Sequence, residues 1–185
     1  MILINEDYKR QLQELHKEPK AFYRGLKVLG KIEKYLEKYQ PTSLIDFGCG
    51  KGDLHKELAK TMEKTAGYDP GMPEFEILPS DTYESLVALD VLEHIEPEML
   101  DETLKTISDL FTKSCYLIVA AYPAKKYLPD GRNAHLIIES FDWWKEKLEI
   151  FIQGTIVYTV NSPVIKTPKK GPSIAGAEYI FIIEK

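Results

Sequence analysis

Seven consecutive residues, Asp46-Phe47-Gly48-Cys49-Gly50-Lys51-Gly52, set a carboxylate just ahead of three glycines at alternate positions. Glycines at this density let the backbone pass close beneath a ligand where side chains would collide. A strand that runs into such a turn and then opens a helix is a recurrent phosphate or nucleoside site. The spacing is Gly48-x-Gly50-x-Gly52 rather than G-x-G-x-x-G, and no Gly-Lys-Ser/Thr completes a phosphate loop. Asp46 sets the sign of the ligand: a carboxylate there repels pyrophosphate and suits a group carrying an ammonium. Asp69, followed by Pro70, closes the next short apolar segment, where a carboxylate can accept both hydroxyls of a ribose. S-adenosylmethionine, with an adenosine ribose, an ammonium and a sulfonium, matches Asp46 and Asp69 together, and it is the cofactor these residues predict.

Methyl transfer from a sulfonium is an in-line displacement, so a protein performing it aligns nucleophile and methyl and removes a proton from a hydroxyl or ammonium acceptor. Ligands of open parallel sheets lie at the carboxyl ends of the strands. That rule places Leu89, Asp90 and Val91 beside the cofactor and His94 near the reaction centre, where histidine works as a base near neutral pH. The alternative for Glu93-His94 is a loop-fixing pair ahead of a helix. Residues 122–135 form a polar loop with Tyr122, Asp130, Arg132, Asn133 and His135, a substrate-binding candidate in which Arg132 holds an anion and His135 is a second candidate base. Its bland reading is an Asp130-Gly131 turn with Arg132 packed on a neighbour. The histidines (His16, His55, His94, His135) contain no H-x-x-x-H pair, so no dedicated metal site is expected. Cys49 and Cys115 read as reduced cysteines of a cytoplasmic protein rather than a disulfide.

These groups need elements to hold them. Residues 7–40 read as two Lys-, Glu- and Leu-rich helical stretches broken near Pro19, the second with Leu26, Leu29, Ile32, Tyr35 and Leu36 on one face. Tyr8, Phe22, Tyr23 and Arg24 make this segment either a lid over the cofactor or a structural cap. Residues 43–47, 65–69, 86–89 and 116–121 are apolar strands. Helices are expected over 53–62, capped by Asp53, over 97–112, with Phe111 on its apolar face, and over 141–148, where Trp143 and Trp144 serve packing. Residues 71–81 are broken by proline and leave no room for a helix. Apolar strands alternating with helices indicate a parallel sheet covered on both faces. Residues 150–160 and 178–183, joined by a loop over 166–172, are expected to add an antiparallel pair.

The segment Tyr83-Glu84-Ser85-Leu86-Val87-Ala88-Leu89-Asp90-Val91-Leu92-Glu93-His94-Ile95 resembles the fourth-strand motif of the class I S-adenosylmethionine-dependent methyltransferases, with Glu84 where that family usually has Asp. Leu128-Pro129-Asp130-Gly131-Arg132-Asn133-Ala134-His135-Leu136, followed by Trp143-Trp144, resembles a small bacterial and phage subgroup. The resemblance implies an α/β, Rossmann-like fold with a mostly parallel sheet and a C-terminal antiparallel strand pair. It also implies a helical cap over residues 1–40 ahead of a methyltransferase domain over 41–185. The cofactor contacts it implies are Asp46, Phe47, Gly48, Cys49, Gly50, Asp69, Pro70, Leu89, Asp90 and Val91. Family members commonly carry a helix after the second strand and an acidic residue that meets adenine; Asp81 is the candidate here, with a water-exposed loop aspartate as the alternative.

Bulk properties narrow the acceptor. A formal net charge of -5 argues against broad electrostatic binding to a nucleic-acid backbone. No apolar run is long enough to span a bilayer, and the acidic turn at Glu6 and Asp7 is unlike a secretory signal. A DNA amino-methyltransferase needs Asn/Asp-Pro-Pro-aromatic where this chain has Leu89-Asp90-Val91-Leu92, and a cytosine C5 enzyme needs a Pro-Cys nucleophile that neither cysteine supplies. The expected activity is methyl transfer to an oxygen or nitrogen of a small molecule such as a sugar, by a monomer or homodimer. The competing reading is a non-catalytic module that binds S-adenosylmethionine or a partner.

Overall fold

The computed structural model describes residues 3–17, 28–166 and 174–185. Six strands form one sheet in the order β2-β1-β3-β4-β6-β5: β1 Ser43–Phe47, β2 Lys64–Tyr68, β3 Tyr83–Leu89, β4 Phe111–Ala121, β5 Thr155–Lys166 and β6 Ile174–Glu184. The first four run parallel to one another, whereas β6 is antiparallel to both β4 and β5. Five helices flank it: α1 Glu6–His16, α2 Leu29–Tyr39, α3 Asp53–Leu58, α4 Leu100–Leu110 and α5 Phe141–Phe151. This is the expected Rossmann-like arrangement with its C-terminal antiparallel strands.

The inner strands β1, β3 and β4 are largely apolar because both their faces are covered, and alternate side chains enter different cores, whereas the edge strands β2 and β5 are more exposed. Leu44, Val87, Ile118 and Ile182 meet Ile32 and Tyr35 of α2 and Leu54 and Leu58 of α3 on one face. Ile45, Leu86, Leu117 and Phe181 meet Leu104 and Ile107 of α4 and Trp144 and Leu148 of α5 on the other. A polar chain crosses the first core, with the Tyr35 hydroxyl 2.8 Å from Ser114 Oγ and Ser114 Oγ 2.9 Å from Ser85 Oγ. At the amino ends of the strands, Glu84 accepts from the Thr42 N–H at 2.9 Å and from Lys113, so the Glu found in place of the usual Asp ties β3 to its neighbours.

Several boundaries differ from expectation. Asp53 does not cap α3; the capping position is Gly52, at φ +75°, and makes no side-chain capping bond. Phe111 is extended and begins β4, so it leaves the helix one residue earlier than its periodic position suggests. Ile150 belongs to α5 rather than to a strand, and β5 starts only after Gly154. Residues 71–81 contain no helix, as the prolines require. The expectations at Pro19, Leu26, Phe22, Tyr23, Arg24 and most of the 166–172 loop fall outside the described residues. No helix among the described residues is long and apolar enough to cross a membrane.

Candidate active site

The carboxyl ends of β1, β2 and β3 open into a pocket that, with its mouth, encloses about 780 Å³. Its floor is the glycine turn. Gly48 and Cys49 both donate their N–H to the Tyr68 carbonyl, at 2.7 and 3.1 Å, which draws the loop across the end of β2. Gly48, Gly50 and Gly52 all have positive φ, between 54° and 75°, a region glycine enters without cost from a Cβ. A Cβ on Gly48 would lie 2.3 Å from Val91 Cγ2, so this glycine also lets the β1 turn meet the segment after β3.

Asp69 is almost fully buried at the end of β2. Its two carboxylate oxygens accept from the N–H groups of Gly50 and Gly71, each at 2.9 Å, and His16 Nε2 of α1 stands 3.8 Å away. Burial pushes the Asp69 carboxyl up and the His16 ring down, each against the pull of the other's charge. Asp90, after β3, is held at φ +49° while its N–H donates to Ile118 at 2.8 Å. A non-glycine residue in this left-handed region is uncommon, although Asp tolerates it better than most. Asp69, Asp90 and Glu96 all line the pocket, with no Lys or Arg among its described lining residues. The cavity therefore favours a cationic ligand.

One wall comes from the N-terminal segment. Asn5 caps α1 by accepting from Asp7 and Tyr8 N–H groups, and its own N–H donates to Glu96 at 3.0 Å. The Tyr8 hydroxyl donates to the His94 carbonyl at 2.6 Å. Leu3, Ile4, Tyr8, Leu12 and His16 thus line the pocket opposite the glycine turn.

Of the residues expected at the cofactor, Phe47, Gly48, Gly50, Asp69, Pro70, Asp90 and Val91 line this pocket, as does His94, expected near the reaction centre. Asp46, Cys49 and Leu89 do not line it. Asp46 is buried at the end of β1, Cys49 Sγ lies against Gly67 and burial raises its thiol, and Leu89 packs into the α2 and α3 core. The substrate candidates also fall outside the pocket. Arg132 pairs with Asp130 at 2.8 Å, which holds that carboxyl down at about 2. Asn133 bonds the Ala124 backbone in both directions and accepts from the His135 N–H. Tyr122 is a buried residue whose carbonyl accepts from His135. Asp81 is exposed and pairs with Lys64 at 2.9 Å. His94 and His135 do come together, with ring centroids 4.7 Å apart. Tyr68, Ile95, Glu96 and Thr103 also line the pocket and carried no signal in the sequence.

The family model for a methyltransferase domain matches residues 8–150. The chain belongs to this methyltransferase family. Solved structures with the same fold include an S-adenosylmethionine-dependent methyltransferase from Clostridium acetobutylicum, 11% identical, with a TM-score of 0.62 and coverage of 96% of this chain and 98% of that one. A Burkholderia thailandensis 1,6-didemethyltoxoflavin-N1-methyltransferase, with its substrate and S-adenosylhomocysteine bound, is 13% identical, with a TM-score of 0.65 and coverage of 100% and 92%. A magnesium protoporphyrin IX methyltransferase from Synechocystis, with bound S-adenosylmethionine, is 14% identical, with a TM-score of 0.59 and coverage of 96% and 99%. No curated protein matches. At these identities the likeness is one of fold, and the methyltransferase shares it along nearly its whole length.

Proposed function

We propose that this methyltransferase uses S-adenosylmethionine to methylate an oxygen or nitrogen of a small molecule. The observation that carries the reading is the acidic, glycine-floored pocket at the carboxyl ends of β1, β2 and β3. The bound cofactor supplies a methyl on a sulfonium; the new bond forms to an acceptor lone pair while sulfur keeps the electrons of the broken bond. Asp69 has the oxygens to accept ribose hydroxyls, and the glycine turn lets the backbone approach the ligand. Asp90 and Glu96 add negative charge that favours an ammonium and a sulfonium. His94 and His135 stand on the acceptor side and are the groups suited to receive the proton an alcohol or ammonium loses.

The 1,6-didemethyltoxoflavin methyltransferase acts on a small molecule, and it resembles this chain over its full length. Calorimetry with S-adenosylhomocysteine tests the reading directly. The intact chain is expected to bind, and Asp69→Ala to weaken binding at least about tenfold, or about 1.4 kcal/mol. Absence of binding to the intact chain would sink the proposal. Formation of S-adenosylhomocysteine from labelled cofactor, across a panel of alcohols and amines, separates an enzyme from a binding module.

A further inference from the structure

Glu93, His94 and His135 converge although forty residues separate the two histidines. A ring nitrogen of each and a carboxylate oxygen of Glu93 lie within 4.8 Å of one another. The backbone enforces the meeting, because Leu136 and Ile137 donate their N–H groups to the Glu93 carbonyl at 2.7 and 3.0 Å. Each ring is also fixed from behind. His94 Nδ1 bonds the Ala134 carbonyl at 2.6 Å and His135 Nδ1 bonds the Tyr122 carbonyl at 2.5 Å. A carbonyl only accepts, so Nδ1 carries the proton in both rings and Nε2 carries the lone pair of the neutral imidazole. Metal-ligating imidazoles have this backing almost without exception, because it fixes the tautomer and the ring orientation. Glu93 is fully buried and held, its Oε1 accepting from the Ala120 N–H at 3.2 Å.

A general base needs one imidazole. Two imidazoles of matched tautomer and a buried carboxylate make a donor set for a divalent first-row transition ion. Bonds of about 2.1 Å set donor atoms roughly 3–3.5 Å apart, so ligation draws the three side chains together by about an ångström. The position also has a use. His94 lines the donor pocket, whereas His135 lines a neighbouring cavity bounded by Pro97, Leu136, Ile138, Trp143 and Lys147.

We propose that Glu93, His94 and His135 bind a divalent first-row transition-metal ion between the donor pocket and this second cavity, and that the ion holds an oxygen of the methyl acceptor. The role at the acceptor rests on the methyltransferase reading; the metal site itself does not. Coordination lowers the pKa of a bound hydroxyl, so with the ion in place the acceptor's proton passes to solvent and the histidines serve as its ligands instead of as the proton acceptors they would be without it. The expected acceptors are accordingly oxygen-bearing molecules that can ligate a metal.

The test uses the full chain without a tag, stripped by a chelator and titrated with Co²⁺ alone while its visible absorption and heat of binding are followed. One equivalent is expected to bind. His135→Ala and His94→Ala should each weaken Co²⁺ binding at least about tenfold. His135 lies outside the donor pocket, so its variant should keep S-adenosylhomocysteine binding, which doubles as a check on folding. Where His135→Ala does not fold, His135→Gln replaces it. No Co²⁺ binding by the intact chain, or binding by both histidine variants as tight as the intact chain's, overturns the site. Retained Co²⁺ binding without S-adenosylhomocysteine binding would overturn the methyltransferase reading and leave the metal site standing.

Discussion

At Gly48 two constraints meet, since its φ is +75° and its absent Cβ would overlap Val91. Gly48→Ala adds left-handed strain of about 1 kcal/mol and an overlap that core data place at about 1–3 kcal/mol. The melting temperature should fall by roughly 2–4 °C per kcal/mol in a chain of this size. Because Val91 lines the pocket, S-adenosylhomocysteine affinity should fall with it; calorimetry showing wild-type affinity would mean that the turn is not the pocket floor. The glycine turn was legible in the sequence because the strand and the turn are local neighbours, although Asp46 beside them does not line the pocket. The opposite wall was legible only at Tyr8, named with the segment read as either a lid over the cofactor or a cap. His16, Glu96 and Thr103 reach the pocket only through tertiary packing, and no spacing announces that. Arg132 and Asn133 lie outside the pocket, held by Asp130 and by the Ala124 backbone, and a polar loop has the same composition whether its side chains face a ligand or one another.

Among the elements, α1 bridges the two sides of the pocket. Its cap residue bonds Glu96, its Tyr8 hydroxyl bonds the His94 carbonyl, and Tyr8 and Leu15 share a small core with Leu128 and Ala134 of the loop after β4. Tyr8→Phe removes one hydrogen bond at nearly constant volume and leaves the His94 carbonyl short of a donor, a cost of about 1–3 kcal/mol. The variant should stay folded and bind S-adenosylhomocysteine more weakly, with faster hydrogen exchange over residues 5–16 than over α4. Exchange unchanged across α1 would show that the other contacts hold the helix unaided. The strands and most helices followed from hydrophobic period, whereas the junction of α4 and β4 did not. Leu110 and Phe111 pass from helix to strand with no glycine or proline between them, and only pairing of Tyr83 with Phe111 ends the helix there. Proline gave the opposite outcome at residues 71–81, where it excluded a helix from sequence alone.

For the whole molecule, three buried titratable groups tie stability to pH. Burial lowers His16 and His55 and raises Asp69. A lowered histidine stays neutral in the fold while the unfolded chain takes up a proton below about pH 6.5, so stability is lost as pH falls through that window. Asp69 works in the reverse sense, because the fold keeps a proton that the unfolded chain has already released. His16 and Asp69 stand beside each other and act in opposite senses, and His55 adds to the loss of stability as pH falls. Its ring is wedged against Phe75 and the space that Gly52 and Gly67 leave open, and its Nδ1 has no hydrogen-bond partner among the described residues. The half-buried carboxylates Glu84 and Glu184 are lowered by their partners and act only in more acidic solution. Thermal unfolding should therefore show a falling melting temperature from about pH 7.5 to about pH 5.5, and His55→Gln should flatten that fall by roughly 2–4 °C for each kcal/mol of proton linkage removed. An identical slope in the variant would assign the acid sensitivity to the His16 and Asp69 pair, and with it to the wall of the donor pocket.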